Sequence, residues 1–149
     1  MSDKRYIINV QGAIYRDDKF LLTKRSQAED FMPGVMSLPG GTIEAEDEAS
    51  DDVILSTLKR EIREEVNLEV DDCKLVTTRY FEANGAPVIN MVYLCRYVSG
   101  EAKALDPEEV ESVFWISADE AIQRPDCMEW TKLYLEKSEA LRINVNTKA

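Results

Sequence analysis

The 149-residue chain contains no histidine. That absence excludes Ser-His-Asp and Cys-His nucleophile pairs, histidine-containing zinc sites and any imidazole general base. Cysteine is scarce: Cys73, Cys95 and Cys127 form no Cys-x-x-Cys pair, and an odd number cannot be fully bridged within the chain. They read as buried thiols of a reducing compartment. No apolar run approaches the roughly 20 residues a membrane helix needs, and the N-terminus MSDKRYIINV lacks a signal core. A soluble, cytoplasmic protein with no membrane partner is expected. Basic residues are outnumbered, 18 Lys and Arg against 29 Asp and Glu, which argues against nucleic acid as a partner, because neutralising phosphates needs clustered bases. The chemistry left open runs on carboxylates, Lys or Arg, Tyr, Cys or a bound metal.

What is present has the length of one compact domain, taken as residues 1–149, without repeats, low-complexity tracts or linkers. Residues 6–15 and 19–24 are rich in β-branched and aromatic side chains around Asp17-Asp18 and predict two strands joined by a tight turn. Residues 26–41 read as a loop carrying Pro33-Gly34 and Leu38-Pro39-Gly40-Gly41. From about Asp51 to Val66 the period becomes helical, with Ile54, Leu58, Ile62 and Val66 on one stripe and Ser50, Asp51 or Asp52 as the cap. Asn67 should end this helix in the left-handed conformation. Strands over 74–83 and 88–98 flank the turn signal Asn84-Gly85. A polar loop, a strand over 110–116 and helices near 118–123 and 127–141 complete an α+β domain.

The informative stretch is Arg60-Glu61-Ile62-Arg63-Glu64-Glu65. At 100° per residue, Glu61, Glu64 and Glu65 share an arc of about 100° beside the apolar stripe, while Lys59 and Arg63 point elsewhere. Like charges at i,i+3 and i,i+4 cost roughly 0.2–0.5 kcal/mol each. A merely solvated face would interleave lysines. Oxygen ligands at one helix edge are what a hard divalent ion requires, and binding it would convert the repulsion into coordination. Arg60, one turn before Glu64, is placed to orient that carboxylate.

Leu38-Pro39-Gly40-Gly41, an acidic segment, and Arg60-Glu61-Ile62-Arg63-Glu64-Glu65-Val66-Asn67-Leu68 together resemble the signature of the Nudix hydrolases. Lys24-Arg25 after a strand and Trp115-Ile116-Ser117 before a helix extend the resemblance over most of the chain. It implies a Nudix-type α/β/α sandwich with a mixed, mainly antiparallel sheet. It also implies a pyrophosphohydrolase using Mg²⁺ or Mn²⁺ to cleave a nucleoside diphosphate linked to another moiety. ADP-ribose and other nucleotide sugars, dinucleotide polyphosphates and oxidised nucleoside triphosphates are the candidate substrates. By position, Glu61, Glu64 and Glu65 match the metal-binding glutamates, Arg60 the arginine that orients them, and Gly40 and Gly41 the loop beside the helix that approaches metal or substrate. Arg25 is the family-like substrate residue. Glu109, six residues before Trp115, matches a downstream acid that serves as base or extra ligand, with Glu64 the other catalytic carboxylate. Family members often form homodimers.

Two positions depart from the signature. The family's first glutamate stands six residues after the glycine and eight before the arginine; here those counts reach Asp47 and Asp52, because the connecting segment is about five residues longer. The helix register favours Asp52, and the loop register favours Asp47 or Glu48. Asn67 replaces glycine, with the same backbone geometry open to it. Tyr80, Phe81, Tyr93 and Trp115 are candidates to stack a base, although aromatic residues on strands more often pack a core. The competing reading is a Nudix-like module that binds a nucleotide or metal without hydrolysing it.

The net charge of −11 is local. Residues 44–72 hold 12 acidic and 3 basic side chains, and residues 101–120 hold 7 and 1, so the remaining 100 residues carry a net charge of +4. The acid is confined mainly to the two segments expected to hold the metal.

Overall fold

The computed structural model describes residues 4–29 and 32–147. Residues 1–3 of the expected charged N-terminus, and 30 and 31 of the expected loop, lie outside them.

Alternation along the strands decides the layers. The strand β1 (Ile7–Arg16) sends Val10 and Ile14 to one face and Ala13 to the other, and all three are fully buried. Strand β2 (Lys19–Arg25) returns antiparallel to β1 through Asp17, which adopts the positive φ of a tight turn. The expected loop contains two short strands, β3 (Met36–Ser37) and β4 (Gly40–Thr42). β3 pairs with β2, and β4 pairs with β1 through Asn9–Thr42, Val10–Gly41 and Gln11–Gly40. Two- and three-residue strands centred on glycine carry no alternation that a sequence pattern can show.

A 3-10 turn, Ala45–Asp47, leads to helix α1 (Val53–Val66). Asp52 caps α1 by accepting from the Leu55 amide, and Asn67 closes it with φ 66°. Leu58, Ile62 and Val66 are fully buried against the sheet, each contributing about 1.5–3 kcal/mol. Strands β5 (Glu69–Ala83) and β6 (Ala86–Ser99) form a long hairpin, with Asn84 and Gly85 both at positive φ as that turn requires. β6 lies parallel to β1, with Asn9 opposite Asn90. Strand β7 (Val110–Ser117) pairs with β2, and helices α2 (Ala118–Ala121) and α3 (Glu129–Thr147) follow.

The result is a mixed, mainly antiparallel sheet ordered β3-β2-β1-β6-β5, with β4 also on β1 and β7 also on β2. Each face has its own core. Val10, Ile14, Leu21, Val70 and Cys95 pack with α1, and Ala13, Phe20, Leu22, Val92 and Leu94 pack with Tyr134 and Leu135 of α3. The expected α/β/α sandwich is therefore the fold. Among the described residues all three cysteines are free, two of them buried and Cys73 half-buried, and no helix is long and apolar enough to cross a membrane.

Candidate active site

The edge of α1 that carries the glutamates faces β4. A Cβ on Gly40 would be driven into the Val10 carbonyl oxygen, and one on Gly41 into the Glu61 carboxylate. The glycine pair thus lets the β4 backbone lie flat between β1 and the glutamate edge of α1. The Gly40 amide hydrogen-bonds the Glu65 carboxylate.

Arg60 organises this edge. Its Nε and Nη2 donate to Asp47 Oδ1 and Oδ2, each at 2.8 Å, and its Nη1 donates to Glu64 Oε2 at 2.9 Å and lies 3.1 Å from Glu61 Oε1. The Asp47 side chain is 2% exposed and also accepts the Glu44 amide at 2.9 Å. The guanidinium beside it holds its carboxyl well below the usual carboxylate range. Of the two acids between which the sequence does not choose, Asp47 is the one that reaches Arg60. Asp52 sits at the N-cap of α1, eight residues and about 12 Å along the axis from Arg60. The five additional residues run between the 3-10 turn and the helix, so the loop register is the one that meets the arginine.

Glu61, Glu64, Glu65 and Arg60 line an open cleft of about 520 Å³ together with Glu44, Glu46, Asp106 and Glu109. Glu109, expected from its distance to Trp115, enters from the loop before β7, which is tied to the end of β2 by the Ser26 amide bonding its carbonyl at 2.9 Å. Seven carboxylates face one guanidinium across this cleft. Burial pushes Glu65 up to about 8, opposed by the Gly40 amide and reinforced by Glu61 and Glu109. Burial likewise raises Glu61 and Glu109. Glu61 and Glu65 are half-buried and the other five exposed, and carboxylates at this density carry negative potential that one guanidinium does not offset. The donor set is all oxygen and fits a hard divalent ion such as Mg²⁺ or Mn²⁺. Among the described residues no three carboxylates already converge as a metal cage, because Glu61 and Glu64 are turned onto Arg60. Glu64, with a side chain 57% exposed, has room to turn back.

Beside this cleft, across β4, lies a second cavity of about 510 Å³ on the α3 face of the sheet. Thr42 and Arg25 belong to its wall. Arg25 is ion-paired with Glu29 at 3.3 Å and its charge reaches Glu65 and Glu109, so it stands between the two spaces. Of the aromatic residues singled out from sequence, Phe81 lines this cavity. Trp115 packs edge-on against Tyr97 at 5.8 Å, Tyr93 belongs to the core under α1, and Tyr80 is exposed beside Tyr6. Asn9, Gln11, Asn90, Arg79 and Trp130 also line the cavity, and sequence reasoning missed them. The available signal is Asn9 and Gln11, two polar residues at period two on a strand face that otherwise turns inward.

The fold and the cleft define an α+β domain built around a carboxylate site without histidine. The NUDIX domain model matches residues 5–137, and the chain belongs to the Nudix family of hydrolases. It is 30% identical over 87% of its length to the uncharacterised Nudix hydrolase YfcD of Salmonella typhi, and spans about two thirds (66%) of that relative. The MutT NUDIX hydrolase of Burkholderia pseudomallei has a similar structure, with TM-score 0.74 and 26% identity, over 90% of this chain and 98% of that one. The NUDIX domain of Shewanella oneidensis NrtR, solved with ADP ribose, shares the fold with TM-score 0.72 and 20% identity, over 94% of this chain and 90% of that one.

Proposed function

We propose that the domain is a divalent-metal-dependent pyrophosphohydrolase that cleaves a nucleoside diphosphate linked to a further group. The observation that carries this reading is the Glu61, Glu64 and Glu65 edge of α1, with Glu61 and Glu65 half-buried and Glu64 exposed, opposed by one arginine in a cleft that adjoins a ligand-sized cavity. Glu61, Glu64 and Glu65 are the proposed holders of Mg²⁺ or Mn²⁺. When bound, the ion supplies charge neutralisation at the phosphoryl oxygens and acidifies water.

The chain's own residues do the remaining work. Asp47 fixes the Arg60 guanidinium through two bonds, and Arg60 sets the rotamers of Glu61 and Glu64; both are positioning residues. Glu64, more exposed than its two neighbours, is the proposed acceptor of the attacking water's proton, with Glu109 facing it from the loop before β7. Water oxygen bonds to phosphorus as the bridging P–O bond breaks, and the departing phosphate takes that electron pair. Arg25, between cleft and cavity, is placed to neutralise a phosphate of the bound substrate.

The test is a panel of ADP-ribose, other nucleotide sugars, dinucleotide polyphosphates and oxidised nucleoside triphosphates. Each is incubated with Mg²⁺ or Mn²⁺ and read by phosphate release with and without added phosphatase. Turnover of at least one compound that stops on chelation supports the reading. Nucleotide binding without turnover of any would assign the domain to the binding-module class instead.

A further inference from the structure

The cavity on the α3 face holds a chain of side-chain amides whose polarity is set by the backbone. Gln11 Nε2 donates to the Leu38 carbonyl at 3.1 Å and to Ser37 Oγ at 3.2 Å. A carbonyl can only accept, so the amino end of Gln11 must point there and its Oε1 must point away. That oxygen accepts from Asn90 Nδ2 at 2.8 Å, and Asn90 Nδ2 also donates to the Tyr134 hydroxyl at 3.2 Å. Asn90 Oδ1 is thereby left to accept, and it takes Asn9 Nδ2 at 2.8 Å. Asn90 is 2% exposed, so this orientation is locked rather than solvent-averaged.

The relay ends at Asn9, half-buried at the cavity wall. Among the described residues, Asn9 Oδ1 and its second N–H meet no partner. Two aromatic rings complete the space: Trp130, one helical turn before Tyr134 on α3, and Phe81 on β5, each with its ring centre 5.1 Å from the Arg79 guanidinium that lies over it. Aromatic rings and a guanidinium are the side chains on which a planar heterocycle stacks. The cavity, about 510 Å³, is of ligand size. Asn9 pairs in register with Thr42 of β4, whose neighbour Gly41 abuts Glu61. One strand separates the amide from the glutamates.

We infer that this cavity is the base pocket of the proposed substrate and that it selects a nucleobase bearing an exocyclic amino group next to a ring nitrogen acceptor, as in adenine. This rests on the hydrolase reading for the identity of the site, but not for the binding it predicts. Asn9 Oδ1 accepts from the amino group while its N–H donates to the ring nitrogen. Hypoxanthine, which places a carbonyl where adenine has the amino group, brings two acceptors together and is rejected.

Calorimetric titration of the full chain with AMP and with IMP tests the inference. AMP binds at least tenfold tighter than IMP, and Asn9→Leu brings the two within twofold of each other. Trp130→Leu weakens both by a similar factor. Asn9→Ser, smaller and polar, repeats the loss of discrimination if Asn9→Leu fails to fold, as monitored by thermal unfolding. Equal binding of AMP and IMP by the unmodified chain, or a ratio that survives both substitutions at Asn9, overturns the inference. Hydrolysis of inorganic tripolyphosphate and of the whole substrate panel is followed in parallel. Selective AMP binding without any hydrolysis leaves the pocket standing and removes the enzyme reading; hydrolysis with indifferent base binding does the reverse.

Discussion

Replacing Gly41 with alanine separates the chemistry of the cleft from the stability of the fold. A Cβ at Gly41 would lie 2.5 and 2.7 Å from the two Glu61 carboxylate oxygens, where ordinary contact begins at 3.4 Å. The β4 backbone is fixed by its pairing with β1, so the carboxylate is the part that moves, by about 1 Å. A misplacement of that size at a reacting centre costs on the order of 10²-fold in rate. Glu61 ends a flexible side chain, so the fold itself loses little. Gly41→Ala should therefore lower kcat/KM for the best panel substrate by about 10²-fold while its thermal unfolding stays close to that of the unmodified chain. Gly40→Ala is the control with the opposite signature. Its Cβ meets the Val10 carbonyl oxygen on a strand that cannot yield, and it should destabilise by about 1–3 kcal/mol or more. Steady-state kinetics with a metal titration, paired with denaturant unfolding, reads both. Activity of Gly41→Ala within twofold of the unmodified chain would refute the placement of Glu61 in the working site.

Asp47→Asn replaces a carboxylate that accepts twice from Arg60 with a side chain offering one oxygen, and leaves a charge in a site where Arg60 is 12% exposed. The melting temperature should fall by several degrees at neutral pH. Because Asp47 is depressed below its ordinary 3.8, its stabilisation is present above that pH and is lost as pH falls beneath it; acid unfolding of Asp47→Asn should lack that component. Asp52→Ala removes a cap whose bond to the Leu55 amide is 3.5 Å long, so it should cost about 0.5–1 kcal/mol in denaturant unfolding and leave kcat/KM unchanged. Glu65 is raised from 4.5 to about 8, so between those values the folded, metal-free chain holds a proton that the unfolded chain has lost. Stability in chelator should fall as pH rises through that window, by on the order of a few kcal/mol. Added Mg²⁺ should restore it most at the alkaline end, where binding displaces the fewest protons; melting curves at pH 6 and 8 with and without Mg²⁺ read the sign.

Much of this architecture is local and therefore legible in the sequence. The stripe Ile54, Leu58, Ile62 and Val66 marks α1 because one face must be buried, and Asn67 and Asn84-Gly85 mark their turns because few residues tolerate positive φ. The glutamate edge follows from helical spacing alone. What escaped depends on contacts across the chain. Asp47 and Asp52 are equivalent by counting, and only the folded 3-10 turn reveals that Asp47 touches Arg60 while Asp52 lies about 12 Å from it along the helix. β3 and β4 are too short to show a period, and their pairing with β2 and β1 is set by distant partners. The amide relay joins residues 9, 11 and 90 through the parallel register of β1 and β6, a pairing that no local pattern encodes.

The central claim is that Glu64 and its neighbours on α1 perform metal-dependent cleavage of a pyrophosphate bond. Its most direct measurement is single-turnover hydrolysis of the best panel substrate in ¹⁸O-labelled water, as a function of Mg²⁺, by the unmodified chain and by Glu64→Gln. The account predicts one labelled phosphate product per turnover, a rate that saturates with Mg²⁺ and vanishes in chelator, and a loss of at least about 10²-fold in Glu64→Gln, with folding intact. Hydrolysis that proceeds equally in chelator, or a Glu64→Gln protein that turns over at the unmodified rate, would contradict it.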